Sequence, residues 1–170
     1  GEKQRFGRDS WTFMAMVKPT QFHIDKKQNH RRIFAFGAYP DAYLIIDLTG
    51  QGTLSCYFCY KNSAGKIVSA GCGGSAALAK GAWAHVGLVC DRKRNTIELY
   101  VNGYSPRSAP MPRGFDGNFV LGGRLTVGSS WQNYWGQIDE VKVYRSALSR
   151  AQVAGEFDRL KRVFSIKESA

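Results

Sequence analysis

No run of about 18 apolar residues occurs in the 170-residue chain, so a membrane-spanning helix is excluded. The first ten residues, GEKQRFGRDS, lack the apolar core of a secretory signal, although an excised or processed module would look the same. Cysteine is sparse. Cys56, Cys59, Cys72 and Cys90 are even in number but lack the density of a disulfide-built scaffold. Acidic residues are scarce as well: 13 Asp and Glu stand against 24 Lys and Arg, a formal balance of +11. Such an excess favours anionic partners by steering and local attraction, whatever the fold. Neither a G-x-S-x-G nucleophile elbow nor a phosphate-binding glycine loop is present, which removes two common catalytic plans. No internal repeat or low-complexity tract stands out.

What the chain does have is glycine and aromatics, 19 Gly with ten Phe, eight Tyr and four Trp, a composition suited to strands and tight turns. Short β-forming segments bounded by Gly, Asn, Asp or Pro recur at close intervals, the pattern of a sandwich or barrel. Strands are expected near residues 11–17, 32–36, 43–48, 53–60, 66–69, 83–90, 96–101, 124–127 and 137–144. Asp91 to Asn95 and Asn102-Gly103 read as hairpin turns, the latter pair tolerating positive φ. Residues 105–114 hold three prolines and read as a long loop over one sheet face. One helix is expected at the end, with Ser149 as N-cap and Val153, Phe157, Leu160 and Phe164 at helical spacing.

The C-x-x-C of Cys56 and Cys59 lies in a strand-like run, where residues three apart point to opposite faces. A shared zinc is therefore awkward, since structural zinc takes its C-x-x-C from a tight turn. Buried thiols, or one or two disulfides, remain as alternatives.

Three ordered segments carry a family resemblance: Trp11-Thr12-Phe13 through Val17-Lys18-Pro19; Trp83-Ala84-His85-Val86 leading to Leu99-Tyr100-Val101-Asn102-Gly103; and Gly136-Gln137-Ile138-Asp139-Glu140-Val141 through Ser149. In order and spacing the chain resembles the laminin-G-like, concanavalin A-like jelly-roll family. The resemblance implies an all-β, two-sheet antiparallel jelly-roll sandwich over residues 11–148, preceded by a lead of residues 1–10 and followed by a C-terminal helix and tail, residues 149–170. It also implies an extracellular or cell-surface setting. Members usually carry another strand before the aromatic-Thr one; here about ten residues, mostly hydrophilic, precede Trp11. The tail could cover the vacated edge, or the edge could accept a partner strand.

Glycosidases on this fold need aligned carboxyls, two of them about 5 Å apart for retention. Asp139 and Glu140 form the only adjacent acidic pair in an expected strand, and neighbours point to opposite faces. A non-enzymatic module is therefore expected. Asp139 shares parity with Val141 and Val143, which should face the core; its carboxylate is then either paired structurally or, as the resemblance implies, a ligand of Ca2+. His85 matches the family's W-x-H histidine and is expected to hydrogen-bond inside the sandwich. His23 and His30 lie in a polar stretch and are expected to face solvent.

Ligand contact is expected from the aromatic and amide loop 129–135, through Trp131, Asn133 and Tyr134, with Trp135 packing the sandwich end. Sugar rings stack on flat aromatic faces while amides read hydroxyls. Tyr39, Asp41 and Arg107 lie in other loops that could join this site. Arg31, Arg32, Arg92, Lys93 and Arg94 are expected to contact an anionic partner, although a charge cluster is usually a solvated face. The leading expectation is recognition of a polar or anionic glycan without bond cleavage. The alternative is a protein-interaction module that completes its sheet edge with a partner strand, and nucleic acid is the less favoured third.

Overall fold

Alternation of inward and outward side chains along short strands decides the architecture, because each sheet turns one face to a shared core. The computed structural model describes residues 9–22, 30–73, 77–112, 114–115, 125–128 and 132–166. Its elements are β1 (Trp11–Pro19), β2 (His30–Ala38), β3 (Ala42–Thr49), β4 (Leu54–Lys61), β5 (Ile67–Gly73), β6 (Ala84–Asp91), β7 (Thr96–Val101), β8 (Tyr104–Pro110), β9 (Thr126–Val127), β10 (Gly136–Tyr144) and α1 (Arg150–Val163). Two five-stranded antiparallel sheets result, one ordered β10-β1-β6-β7-β8 and the other β5-β4-β3-β2-β9. The chain is thus the expected all-β jelly-roll sandwich with a C-terminal helix.

The core lies between the sheets. Phe13 of β1 meets Phe34 of β2 with ring centroids 4.2 Å apart, and Trp11 lies 6.2 Å from both Phe34 and Phe36. Leu44, Ile46 and Leu48 of β3 and Leu54, Cys56 and Phe58 of β4 fill the same layer. The β6–β7 hairpin closes through Asp91, whose Oδ1 accepts from the Lys93 and Arg94 amides at 2.9 and 3.1 Å. At the next turn Asn102 and Gly103 have φ of 47° and 78°, the left-handed pair that a tight hairpin requires.

Three expectations need correction. The proline-rich segment is not a loop at its start, because Tyr104–Pro110 forms β8. It lies at a sheet edge, where the missing proline N–H breaks no ladder. Among the described residues the tail adds no strand to an edge: α1 lies over the outer face of the β1 sheet, where Val153 packs with Met14, Val89 and Tyr100, and it reaches β10 only through side chains, Glu156 with Lys142 and Arg159 with Glu140. Among the described residues β10 pairs with β1 alone. Third, β10 carries a bulge, marked by the register slip opposite Met14 and Met16 and by Glu140 at φ 49°. The extra residue breaks the parity of Asp139 with Val141 and Val143. Asp139 is exposed, and Val141 and Val143 are 42% and 36% exposed. No helix among the described residues is long and apolar enough to cross a membrane.

The helix begins as the sequence indicates. The Ser149 hydroxyl accepts from the Gln152 amide at 3.3 Å and the Gln152 side chain accepts from the Ser149 amide at 2.8 Å, a capping box. Trp83 sits just before β6 and meets Phe164 edge-on at 4.8 Å. Beneath α1, His85 is fully buried with its ring 6.0 Å from Phe157. Its role is structural, but not through the expected hydrogen bond: among the described residues neither ring nitrogen has a partner. Burial holds its pKa down at about 4, with Glu156 opposing and Lys142 reinforcing that shift.

The fold therefore binds the neutral imidazole. In the unfolded chain the ring takes a proton near its ordinary 6.5, so stability is complete above that pH and falls as the pH drops from there towards about 4. The loss from this residue should reach about 3 kcal/mol. Urea unfolding across pH 7 to 4 should show this slope in the native sequence and lose it in His85→Leu. An equal slope in both proteins would assign the acid sensitivity to other groups.

Candidate functional site

On β3 the residues between the core leucines and isoleucines are Tyr43, Ile45 and Asp47, and on β4 they are Ser55 and Tyr57. Alternation sends all five to the outer face. The register sets Ile45 beside Tyr57 and Asp47 beside Ser55. On β2 a bulge between Arg32 and Phe34 leaves Arg32 opposite Asp47. Bulges commonly re-aim a side chain beside a site in this way.

These residues, with His30, Tyr39 and Gln132, line a pocket of about 650 Å³. Tyr39, Tyr43, Ile45 and Tyr57 give it apolar and aromatic walls; Tyr39 is 62% exposed and meets Tyr43 edge-on at 6.2 Å. Its floor is polar. Arg32 donates from Nε to Asp47 Oδ1 at 2.9 Å and from Nη2 to Oδ2 at 3.1 Å, a bidentate pair. Nη1 donates to the Tyr43 hydroxyl at 2.6 Å, and Nη2 also donates to Gln132 Oε1 at 2.9 Å. His30 Nδ1 stands 3.7 Å from Asp47 Oδ2. The side chains of Arg32 and Asp47 are each only 4% exposed.

Burial works against the charge of Arg32, but the bonds with Asp47 and Tyr43 outweigh it and raise its pKa further. Tyr43 is raised above an ordinary phenol, mainly by burial and partly offset by Arg32. Burial likewise raises Tyr57. Both phenols therefore remain protonated near neutral pH. Since the Tyr43 oxygen accepts from Arg32, its O–H is left to donate; the same holds for the Gln132 amide nitrogen, whose oxygen is taken.

The structure brings part of the expected set to this pocket. Tyr39 forms a wall. From the 129–135 stretch Gln132 lines it, with the Arg32 amide donating to the Gln132 carbonyl at 2.8 Å and Asn133 bridging Arg32 in parallel. Trp131 lies outside the described residues, as does His23. The burial of Tyr134 and Trp135 is the reverse of that expected: Tyr134 packs against the core, whereas Trp135 is half-exposed with the Arg31 guanidinium 5.8 Å over its ring. Asp41 is exposed on the β2–β3 turn but does not line the pocket. Arg107 is exposed on β8, in the other sheet.

The basic set divides. Arg31 and Arg32 are buried rather than presented to a partner, because β2 places one beneath Trp135 and the other on Asp47. Arg92 packs over Phe115 at 5.0 Å and donates to its carbonyl at 2.9 Å. Lys93 and Arg94 are exposed, Arg94 lying 3.3 Å from Glu98. Asp139 sits on β10, its Oδ1 accepting the Glu140 amide at 2.7 Å. No group of three His, Cys, Asp or Glu among the described residues could hold a metal ion. Sequence reading missed His30, Tyr43, Ile45, Asp47, Ser55 and Tyr57 as a site, whereas Gln132 falls in the expected aromatic and amide loop. Their available signal was the alternation of Tyr43-x-Ile45-x-Asp47 against buried Leu44, Ile46 and Leu48.

A family model described as "Concanavalin A-like lectin/glucanases superfamily" matches residues 2–154. No curated protein matches the sequence. Among solved structures, the chain is similar to the Ruminococcus gnavus IT-sialidase CBM40 bound to α2,3-sialyllactose, at 17% identity and TM-score 0.63 over 89% of this chain and 84% of that one. It is also similar to the heptameric SAP-like pentraxin of Limulus polyphemus, at 19% identity and TM-score 0.59 over 91% and 76% of the two chains. A third is the binding domain of botulinum neurotoxin serotype G, at 12% identity and TM-score 0.62, where 95% of this chain covers 39% of that one. At these identities the likeness concerns the fold.

The Arg32–Asp47 pair should dominate the energetics of the pocket floor. Asp47→Ala leaves a buried guanidinium without its carboxylate and should cost about 3–5 kcal/mol in chemical denaturation. The double replacement Arg32→Met with Asp47→Leu should recover most of that loss. A cost below about 1 kcal/mol for Asp47→Ala would mean that water reaches the pair freely.

Proposed function

The chain belongs to the concanavalin A-like lectin/glucanases superfamily, and we propose that it is a non-catalytic carbohydrate-binding module whose site is the tyrosine-walled pocket on the β2–β3–β4 face. One observation carries this reading. Aromatic walls from Tyr39, Tyr43 and Tyr57 stand over a floor whose polar groups are fixed by Arg32. A concave, mostly apolar site with a few convergent polar groups is the general form of a small-ligand site. Rings of the ligand would stack on Tyr39 or Tyr57, with hydroxyls meeting the Tyr43 O–H, the Gln132 amide, Ser55 and the outward lone pairs of Asp47.

Two features bear on the kind of ligand. Asp47 offsets the charge of Arg32, so the pocket suits a hydroxyl-rich, uncharged sugar better than an anionic one. Hydrolysis calls for two carboxyls. Among the described residues the pocket lining contains one, Asp47, and Arg32 holds both its oxygens. The structurally similar CBM40 from Ruminococcus gnavus is bound to α2,3-sialyllactose; an acidic sugar is therefore the competing ligand class to test. The protein-interaction reading has the long β10 edge in its favour, but the bulge at Glu140 blunts that edge against regular pairing.

A glycan array containing neutral, sialylated and sulfated sugars, run at low and moderate salt, tests the proposal. Neutral sugars should bind, and the signal should persist at moderate salt because stacking is little screened. Tyr57→Ala and Tyr39→Ala should each weaken binding by about tenfold or more, with unchanged melting temperature. Binding confined to acidic glycans and abolished by salt would move the site to the exposed basic residues. Silence across the array would remove the carbohydrate reading.

A further inference from the structure

Cys56 and Cys72 belong to no part of the pocket. They are direct partners in the antiparallel register of β4 and β5. Both are thiols, and their Sγ atoms share a hydrogen bond at 2.9 Å. The Cys72 amide also donates to Cys56 Sγ at 3.4 Å. Directly opposed residues of an antiparallel pair have Cα atoms about 4.5–5.5 Å apart, inside the range of about 4.4–6.8 Å that a disulfide spans.

The residues around Cys72 make this approach possible. Gly71 and Gly73 flank it, and a Cβ on Gly71 would lie 2.5 Å from the Cys56 carbonyl oxygen. A Cβ on Gly73 would lie 3.2 Å from Ser55 Cβ. Without side chains at these two places, β5 closes tightly on β4 and seats one sulfur on the other. The other two cysteines have different surroundings. Cys59 is paired across the strands with Tyr43 and Ser69, and Cys90 lies against Met111 with sulfurs 3.8 Å apart.

We propose that Cys56 and Cys72 are a dithiol that closes to a cross-strand disulfide on meeting a disulfide oxidant of the glutathione class, stapling the edge strand β5 to the sheet that carries the pocket. Cys72 is half-buried and Cys56 buried behind it, so the oxidant enters at Cys72. The Cys72 thiolate attacks glutathione disulfide, forming a mixed disulfide and releasing one glutathione thiolate. The Cys56 thiolate then attacks the Cys72 sulfur; the Cys56–Cys72 bond forms, the bond to glutathione breaks, and a second glutathione thiolate leaves. The two cysteine protons end on the two glutathione thiols, and the electron pair lost by the protein reduces the oxidant. Their shared hydrogen bond lowers the pKa of Cys56 and raises that of Cys72, so the pair loses its first proton from Cys56, and the remaining proton crosses the 2.9 Å between the sulfurs before Cys72 attacks.

The test uses the whole chain, reduced and then equilibrated in a glutathione redox buffer under native conditions. Samples are quenched with acid, alkylated after denaturation and digested with chymotrypsin, which cuts between Cys56 and Cys59 at Tyr57 and Phe58. Mass spectrometry should find Cys56 joined to Cys72, with Cys59 and Cys90 alkylated. The oxidised protein should melt several degrees higher, an increase reversed by dithiothreitol. Cys72→Ser should remove both crosslink and shift while matching the reduced parent's melting temperature. Four alkylatable thiols after equilibration, glutathione left on Cys72, or linkage through Cys59 or Cys90 would each overturn the proposal.

Discussion

Phe13 and Phe34 meet across the sandwich with ring centroids 4.2 Å apart, and the facing of every other strand residue is tied to that contact. Side chains alternate, so a slip of one residue would send an entire strand's apolar set to the wrong side. With Phe13 and Phe34 inside, Leu44, Ile46 and Leu48 must follow them inward. Tyr43, Ile45 and Asp47 are then carried outward, and the pocket is the outer image of the core. The bulge after Arg32 matters for the same reason. It absorbs one residue, letting Ile33 and Phe34 both be buried while Arg32 stays opposite Asp47.

The Arg32–Asp47 pair is better understood as an organiser than as a source of stability. Removing two ions from water costs several kcal/mol each, which their attraction and hydrogen bonds roughly offset. Its effect is on hydrogen-bond direction. By donating to Asp47, Tyr43 and Gln132 together, the guanidinium leaves the Tyr43 hydroxyl and the Gln132 amide nitrogen as donors facing the pocket. A lysine would carry the charge but not the planar fork that makes these bonds at once.

The fold was legible in the sequence because its signals are local: period-two alternation, Asn-Gly at a hairpin, and a Ser and Gln spaced for a capping box. The two bulges were not legible, since an extra residue changes facing without changing composition. One of them undid the parity argument placing Asp139 with buried valines; the other lets Ile33 and Phe34 both be buried while Arg32 keeps its place opposite Asp47. The site was half legible. Tyr39 and the 129–135 loop drew notice as polar and aromatic segments outside strands. Tyr43 and Tyr57 sit within strands, where an aromatic reads as core until its neighbours' parity is fixed. Proline in β8 misled for a related reason, since edge or interior is a property of the sheet and not of the segment.

Helix α1 occupies the outer face of one sheet through Val153 on Met14, Val89 and Tyr100, and the pocket opens on the outer face of the other. The consequence is one of valency. Under the proposed carbohydrate-binding role, a sandwich with a helix on its back has one broad face for a glycan and would not bridge two chains front to back. Greater grip on a repeating surface would come from setting several copies side by side, where each bound module raises the effective concentration of the next.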